Sequence, residues 1–154
     1  MSRDVFISRP GEGESFFNPD GCRVTIRVDG RQTAGRFTVV EAEHLPEAPP
    51  APLHVHGNED EAIQILEGCL IVEIDGVKHE ASVGTFIHIP QGVSQRFWNP
   101  GSETCRYLSI FSPSGQEDYF KAAYSLDPAQ LGYGRELALI RAQYGLEYPR
   151  SVSE

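Results

Sequence analysis

Apolar and polar residues alternate along most of the chain up to residue 112, the period that puts successive side chains on opposite faces of a strand. Residues 22–28, CRVTIRV, alternate cleanly and predict a half-buried strand, with turn chemistry at Asp29-Gly30. DVFIS at 4–8 predicts an edge strand followed by the loop RPGEGES, and RFTVVEAEH at 36–44 predicts another strand. In that last stretch Glu41, Glu43 and His44 are expected on a solvated face rather than in a cavity. PEAPPAP at 46–52 blocks helix and predicts a stiff extended connector. Strands follow at 62–66 and 69–74, hinged at Glu67-Gly68, and Asp75-Gly76 between IVEI and VKHEA is a strong hairpin signal. TFIHI at 85–89 runs into a Pro90–Gly92 turn, 93–98 into a turn at Asn99-Pro100-Gly101, and TCRYLSIF at 104–111 closes the series. Many short, evenly spaced strands with Gly and Pro turns predict an all-β sandwich or jelly roll.

After Ser112 the period changes. Ser114 and Glu117 have the spacing of a capping box, and Tyr119, Phe120, Ala123 and Tyr124 make an apolar stripe for a short helix. Asp127-Pro128 predicts a further helix start, and a last helix is expected over 135–144, capped at Gly145. These helices are expected to cover an open end of the barrel, where their aromatic residues are placed to serve as a lid.

The composition narrows the function classes. With 13 Lys and Arg against 22 Asp and Glu, the chain carries a formal charge of -9, which disfavours nucleic acid and anionic membranes as partners. No apolar run approaches a membrane span, and the N-terminal residues lack the apolar centre of an export signal. Cys22, Cys69 and Cys105 are odd in number and show no CxxC spacing, so reduced thiols and a cytoplasmic location are expected.

The chemistry concentrates in HVHGNEDEAIQILEG, residues 54–68. On a strand His54 and His56 share a face, and the polar turn 57–60 can return the chain so that Glu61 faces the same space. Two imidazoles and a carboxylate suit non-haem Fe(II) and also serve Zn, Mn or Ni. The alternative is a strand with two unrelated surface histidines beside an acidic turn. His88 is a less favoured further ligand or base, and His79, after a charged hairpin, is expected to face solvent. Phe86, Phe97 and Trp98 are candidates to line a cavity for a flat substrate, although alternation lets only one of Phe97 and Trp98 face inward.

This stretch resembles the first motif of the cupin superfamily, with His54, His56, Glu61 and Gly68 in register and Ala48 where the leading glycine belongs. GTFIHIPQGVSQRFWN resembles the second motif at Gly84, Pro90, Gly92 and Asn99, but Gln95 stands at its histidine position. The two motifs are 15 residues apart and, with flanks, cover roughly residues 35–112. ILEG, Pro-x-Gly-Val and SPSGQEDYF are most similar to small, single-domain, quercetin-dioxygenase-like bacterial cupins.

The resemblance implies a cupin jelly-roll barrel with short C-terminal helices: residues 1–34 as N-terminal strands, 35–112 as the core barrel and 113–154 as a helical extension, all one domain. It implies one divalent metal ion (Fe, Mn, Ni or Zn) held by His54, His56 and Glu61, with Gln95 a fourth ligand or a donor beside it. Glu61 and Gln95 are then the expected catalytic residues. The implied activity is a metal-dependent dioxygenase acting on a small phenolic or polyketide-like molecule. A non-redox cyclase or isomerase, or a small-ligand-binding module, is the alternative. N-terminal strands of this kind pair with a neighbouring subunit in cupins, which implies a homodimer. Gln64 stands where relatives have an aromatic residue and is expected to make the cavity more polar.

Overall fold

The computed structural model describes residues 4–18 and 21–149. The alternation noted above becomes two antiparallel sheets. The first has the order β1 (Glu14–Asn18), β2 (Cys22–Val28), β3 (Thr38–His44), β10 (Cys105–Ser112), β5 (Asp60–Glu67), β8 (Phe86–Ile89). The second has the order β11 (Leu146–Glu147), β4 (His54–His56), β9 (Ser94–Trp98), β6 (Leu70–Ile74), β7 (Val77–Ala81). The fold is an all-β jelly roll. Every second residue points inward: Val24 and Ile26, Val40 and Ala42, Ile63 and Ile65, Leu70 and Val72, and Tyr107 and Phe111 are buried in one core. The Asp75-Gly76 hairpin forms as expected, with φ of 47° and 81°, values that a primed turn requires at both central positions.

Two expectations for the N-terminal region change. Residues 4–9 form no strand; β1 takes the sheet edge beside β2. The Arg27 side chain holds the preceding segment instead, donating to Ser8 Oγ at 2.8 Å and to the Ser8 and Arg9 carbonyls. After β2 the chain makes a single helical turn, α1 (Gly30–Thr33), closed by a capping box between Asp29 and Gln32.

Beyond the barrel, α2 (Gln116–Ala123) and α3 (Tyr133–Gln143) form close to the expected positions. The Ser114–Glu117 capping box does not. Glu117 instead turns into the body of the fold, accepting from Gly30 N at 3.0 Å, Thr38 Oγ at 2.5 Å and Gly115 N at 2.8 Å. Asp127-Pro128 starts no helix: the Asp127 carboxylate takes the Ala129 N–H, but the chain there makes only a local turn. Gly145 ends α3 with φ 72°, and its carbonyl accepts the Gly57 N–H at 2.8 Å. A Cβ on Gly145 would lie 2.5 Å from the Asn58 side chain, so the close approach needs glycine. This contact leads the chain into β11, whose Leu146 and Glu147 pair with His56 and Val55 of β4. The end of the chain therefore borders the strand that carries both histidines. Tyr119, Phe120, Ala123 and Leu146 join the barrel core, and α2 and α3 wall its open end.

Candidate metal centre

β4 is three residues long, and its two histidines lie side by side with ring centroids 5.1 Å apart. On the neighbouring strand Gln95 stands directly across from His54. Each ring has its Nδ1 committed. His54 Nδ1 lies 2.9 Å from the Pro52 carbonyl, which can only accept, so that nitrogen carries the proton and Nε2 keeps its lone pair. His56 Nδ1 lies 2.8 Å from Glu59 Oε1, a contact that likewise turns Nε2 towards the cavity side. An imidazole whose other nitrogen donates to a carbonyl or carboxylate is oriented as metal-ligating histidines are.

The two rings sit in opposite electrostatic settings. Burial and the adjacent His56 push His54 down to about 4, so it is neutral at pH 7. Burial also disfavours charge on His56, but the Glu59 and Glu61 carboxylates outweigh it and push the ring up to about 9.

Glu61, at the start of β5, is 2% exposed. Ser109 Oγ donates to its Oε1 at 3.0 Å. Its Oε2 is 3.3 Å from His56 Nε2, an ion-pair distance that lacks hydrogen-bond geometry, and has no hydrogen-bond partner. Burial raises its pKa, but the adjacent His56 and its charge, with the Ser109 hydrogen bond, prevail and hold it below the usual carboxylate range. Gln95 is 1% exposed, and its Oε1 is also without a hydrogen-bond partner.

The structure thus brings His54, His56 and Glu61 to one wall, with Gln95 beside His54 on β9. Among the described residues no group of three or more His, Cys, Asp or Glu side chains is already gathered as a metal cage. The donor chemistry nevertheless fits a divalent cation. Two oriented imidazoles and two buried oxygens without hydrogen-bond partners, Glu61 Oε2 and Gln95 Oε1, offer nitrogen and oxygen donors to such an ion, and in its absence the charged His56 ring, 3.3 Å from Glu61 Oε2, neutralises that oxygen.

His54, His56 and Glu61 line a cavity of about 140 Å³, close to the ~150 Å³ that accommodates benzene in an engineered protein core. Its other walls combine aliphatic and polar residues with a cluster of aromatic rings that includes Phe97, Tyr107, Phe111, Tyr119, Tyr124 and Tyr148. Burial pushes the Tyr107 and Tyr124 hydroxyls well above their ordinary pKa, so they stay protonated donors. Gln95 is not part of the lining.

Other residues depart from expectation. Phe97 faces the cavity, whereas Trp98 points outward beneath Lys78 and Arg96. Gln64 and Phe86 are cross-strand partners on the outer face, both exposed, so neither shapes the cavity. His88 also faces outward, 3.2 Å from Asp60 Oδ2, and His79 is exposed as expected. His44, by contrast, is buried and lines the cavity, while Glu41 pairs outside with Arg27 and Arg106, and Glu43 with Arg23. The phase of Thr38, Val40, Ala42 and His44 held that signal. Glu59 was also missed, because its stretch reads only as an acidic turn; its role depends on the His56 ring above it.

Residues 40–111 match the family described as Cupin domain. Residues 40–111 are thus a cupin domain. Over 93 residues the chain is 31% identical to quercetin 2,3-dioxygenase of Bacillus subtilis (strain 168). That alignment takes in 60% of the chain but 27% of the relative, so the chain spans about a quarter of that protein's length. Among solved structures it is similar to the polyketide cyclase RemF from Streptomyces resistomycificus, with TM-score 0.60 and 23% identity over 74% of this chain and 81% of that one. It is also similar to KdgF from Halomonas sp., with TM-score 0.63 and 15% identity over 75% of this chain and 99% of that one. Relatives of this fold are thus named for unlike reactions, and the reaction must be argued from the site.

Proposed function

We propose that this protein is a metal-dependent enzyme that oxygenates a small phenolic or enolisable molecule with dioxygen. His54 and His56 through Nε2 and Glu61 through Oε2 would hold one divalent ion, with Gln95 Oε1 as a further donor. Fe, Mn, Ni and Zn all suit such nitrogen and oxygen ligands. When bound, the ion supplies Lewis acidity towards a substrate oxyanion and, if it is redox-active, a partner for dioxygen.

The chain's own groups do the rest. Glu59 holds His56 in one orientation, and Ser109 fixes one oxygen of Glu61. The other Glu61 oxygen has no hydrogen-bond partner, so where the remaining donors hold the ion and Glu61 leaves it, that oxygen can take a proton from a phenol or an α-carbon. The aromatic walls give the reacting anion a less polar setting than water, and the volume is enough for one ring. The observation that carries this reading is the pair of oriented imidazoles facing an orphaned carboxylate oxygen at the wall of an aromatic cavity.

That same orphaned carboxylate oxygen favours a second reading, non-redox isomerisation or cyclisation, because it provides a base whether or not dioxygen takes part. Oxygen uptake by Fe-, Mn-, Ni- and Zn-loaded protein with a panel of one-ring catechols separates the two. Uptake with the redox-active ions and none with Zn supports oxygenation. Product formed equally by the Zn-loaded protein supports the second reading. Failure to retain any of these ions after dialysis leaves a ligand-binding module.

A further inference from the structure

The cavity has a second polar pole, and no part of the proposed metal chemistry uses it. Arg141, on α3, lines the cavity with the aromatic residues. Among the described residues that line the cavity it is the one Lys or Arg, and Glu61 is the one carboxylate. Its guanidinium stacks on the Tyr148 ring, 4.1 Å from the centroid. Its Nε is buried and has no hydrogen-bond partner. Among the described residues no carboxylate forms an ion pair with it.

In a chain with nine more acidic than basic residues, an arginine that pairs with no described carboxylate is notable for its chemistry. Stacking occupies the face of a guanidinium and leaves its N–H edge available for a fork of two parallel hydrogen bonds to a planar anion. A buried N–H without an acceptor is unfavourable until an acceptor arrives. The cavity therefore runs from a cationic donor on the helical lid, past aromatic walls, to the histidine wall of the barrel.

We propose that Arg141 determines specificity in this cavity by taking the carboxylate of a one-ring organic acid, whose ring lies among the aromatic walls with its other end towards His54. This deepens the proposed function by naming the substrate class, and it rests on that reading only for what happens at the histidine end. A neutral phenol would leave the arginine edge unmatched. A hydroxylated aromatic monoacid, or an enolisable keto acid of similar size, meets both ends.

The test uses the full chain stripped of metal with a chelator, with benzoate and benzyl alcohol as probes, their affinities measured by calorimetry or by ligand-detected NMR. The wild-type protein is expected to bind benzoate at least about 10-fold more tightly than benzyl alcohol. Arg141→Met, which keeps the length and packing of the side chain, should weaken benzoate roughly 10- to 100-fold and leave benzyl alcohol within about threefold. Arg141→Lys should restore part of the loss by returning the charge without the fork.

Equal affinity of the wild type for both probes overturns the proposal, and this comparison does not depend on any variant folding. An equal loss of both probes in Arg141→Met would assign the residue to packing and also overturns it. Metal retention is measured separately on the wild type. Selective benzoate binding without metal uptake would sustain the anion site and sink the proposed enzyme; metal uptake without benzoate preference would do the reverse.

Discussion

Metal binding at the histidine wall should expel one proton at neutral pH. In the metal-free chain His56 is pushed up to about 9 by Glu59 and Glu61, so at pH 7 about 99 rings in 100 carry the second proton. A cation that takes His56 Nε2 must displace it. His54, pushed down to about 4, has none to lose, and Glu61 is already a carboxylate. The displaced proton therefore weakens apparent affinity at pH 7 by about two powers of ten, roughly 3 kcal/mol, relative to a site with no proton to expel. Calorimetric titration with Zn or Mn in buffers of different ionisation enthalpy should count about one proton released at pH 7. The apparent Kd should fall about tenfold per unit from pH 7 towards 9 and then level off. Release of two protons would mean that the two rings do not differ as described. No release, with an affinity independent of pH, would mean that His56 is not a ligand or that its carboxylate neighbours do not hold it charged.

Three further outcomes follow from particular contacts. Gln95→His should tighten metal binding, since imidazole is the better nitrogen donor for these ions; unchanged affinity in a calorimetric titration would place position 95 outside the coordination sphere. Glu59→Gln, compared with wild type at about pH 9 where proton competition is small, should lose about 10- to 100-fold in metal affinity as His56 loses its orienting carboxylate. Glu117→Ala leaves three donors unmatched, and at about 1–3 kcal/mol each, eased by water reaching some of them, should lower stability by about 3 kcal/mol and Tm by roughly 6–12 °C. Burial raises the Glu117 pKa, but the hydrogen bonds from Thr38 and the backbone outweigh it and hold it below the ordinary value of 4.5. Its stabilisation is then complete at neutral pH and fades as the pH falls through the folded-state pKa, so denaturation curves of the variant should show a weaker acid dependence below about pH 4.

Local rules made the barrel legible. Alternation found β2, β3 and β10, and the Asp75-Gly76 dipeptide fixed a hairpin because its backbone demand is local. The spacing of His54, His56 and Glu61 located the wall they share, because i and i+2 on a strand face one way. What escaped depends on distant partners. Residues 4–8 have strand-like residues, but β1 already occupies the edge they would need. Glu117 has the spacing of a local cap, yet Gly30 and Thr38, far away in sequence, claim its oxygens. β11 is two residues long and exists because Gly145 delivers it to β4, which no periodicity reveals. Arg141 on its own sequence is an ordinary helix arginine; only the cavity beneath α3 gives it significance.

The pairing of Leu146 and Glu147 with β4 has a practical consequence. Both imidazoles ride on a ribbon whose outer neighbour is a two-residue clasp, so releasing that clasp unzips far less structure than melting the barrel would. Amide exchange at Val55 and Leu146 is where breathing of the doorway should first register.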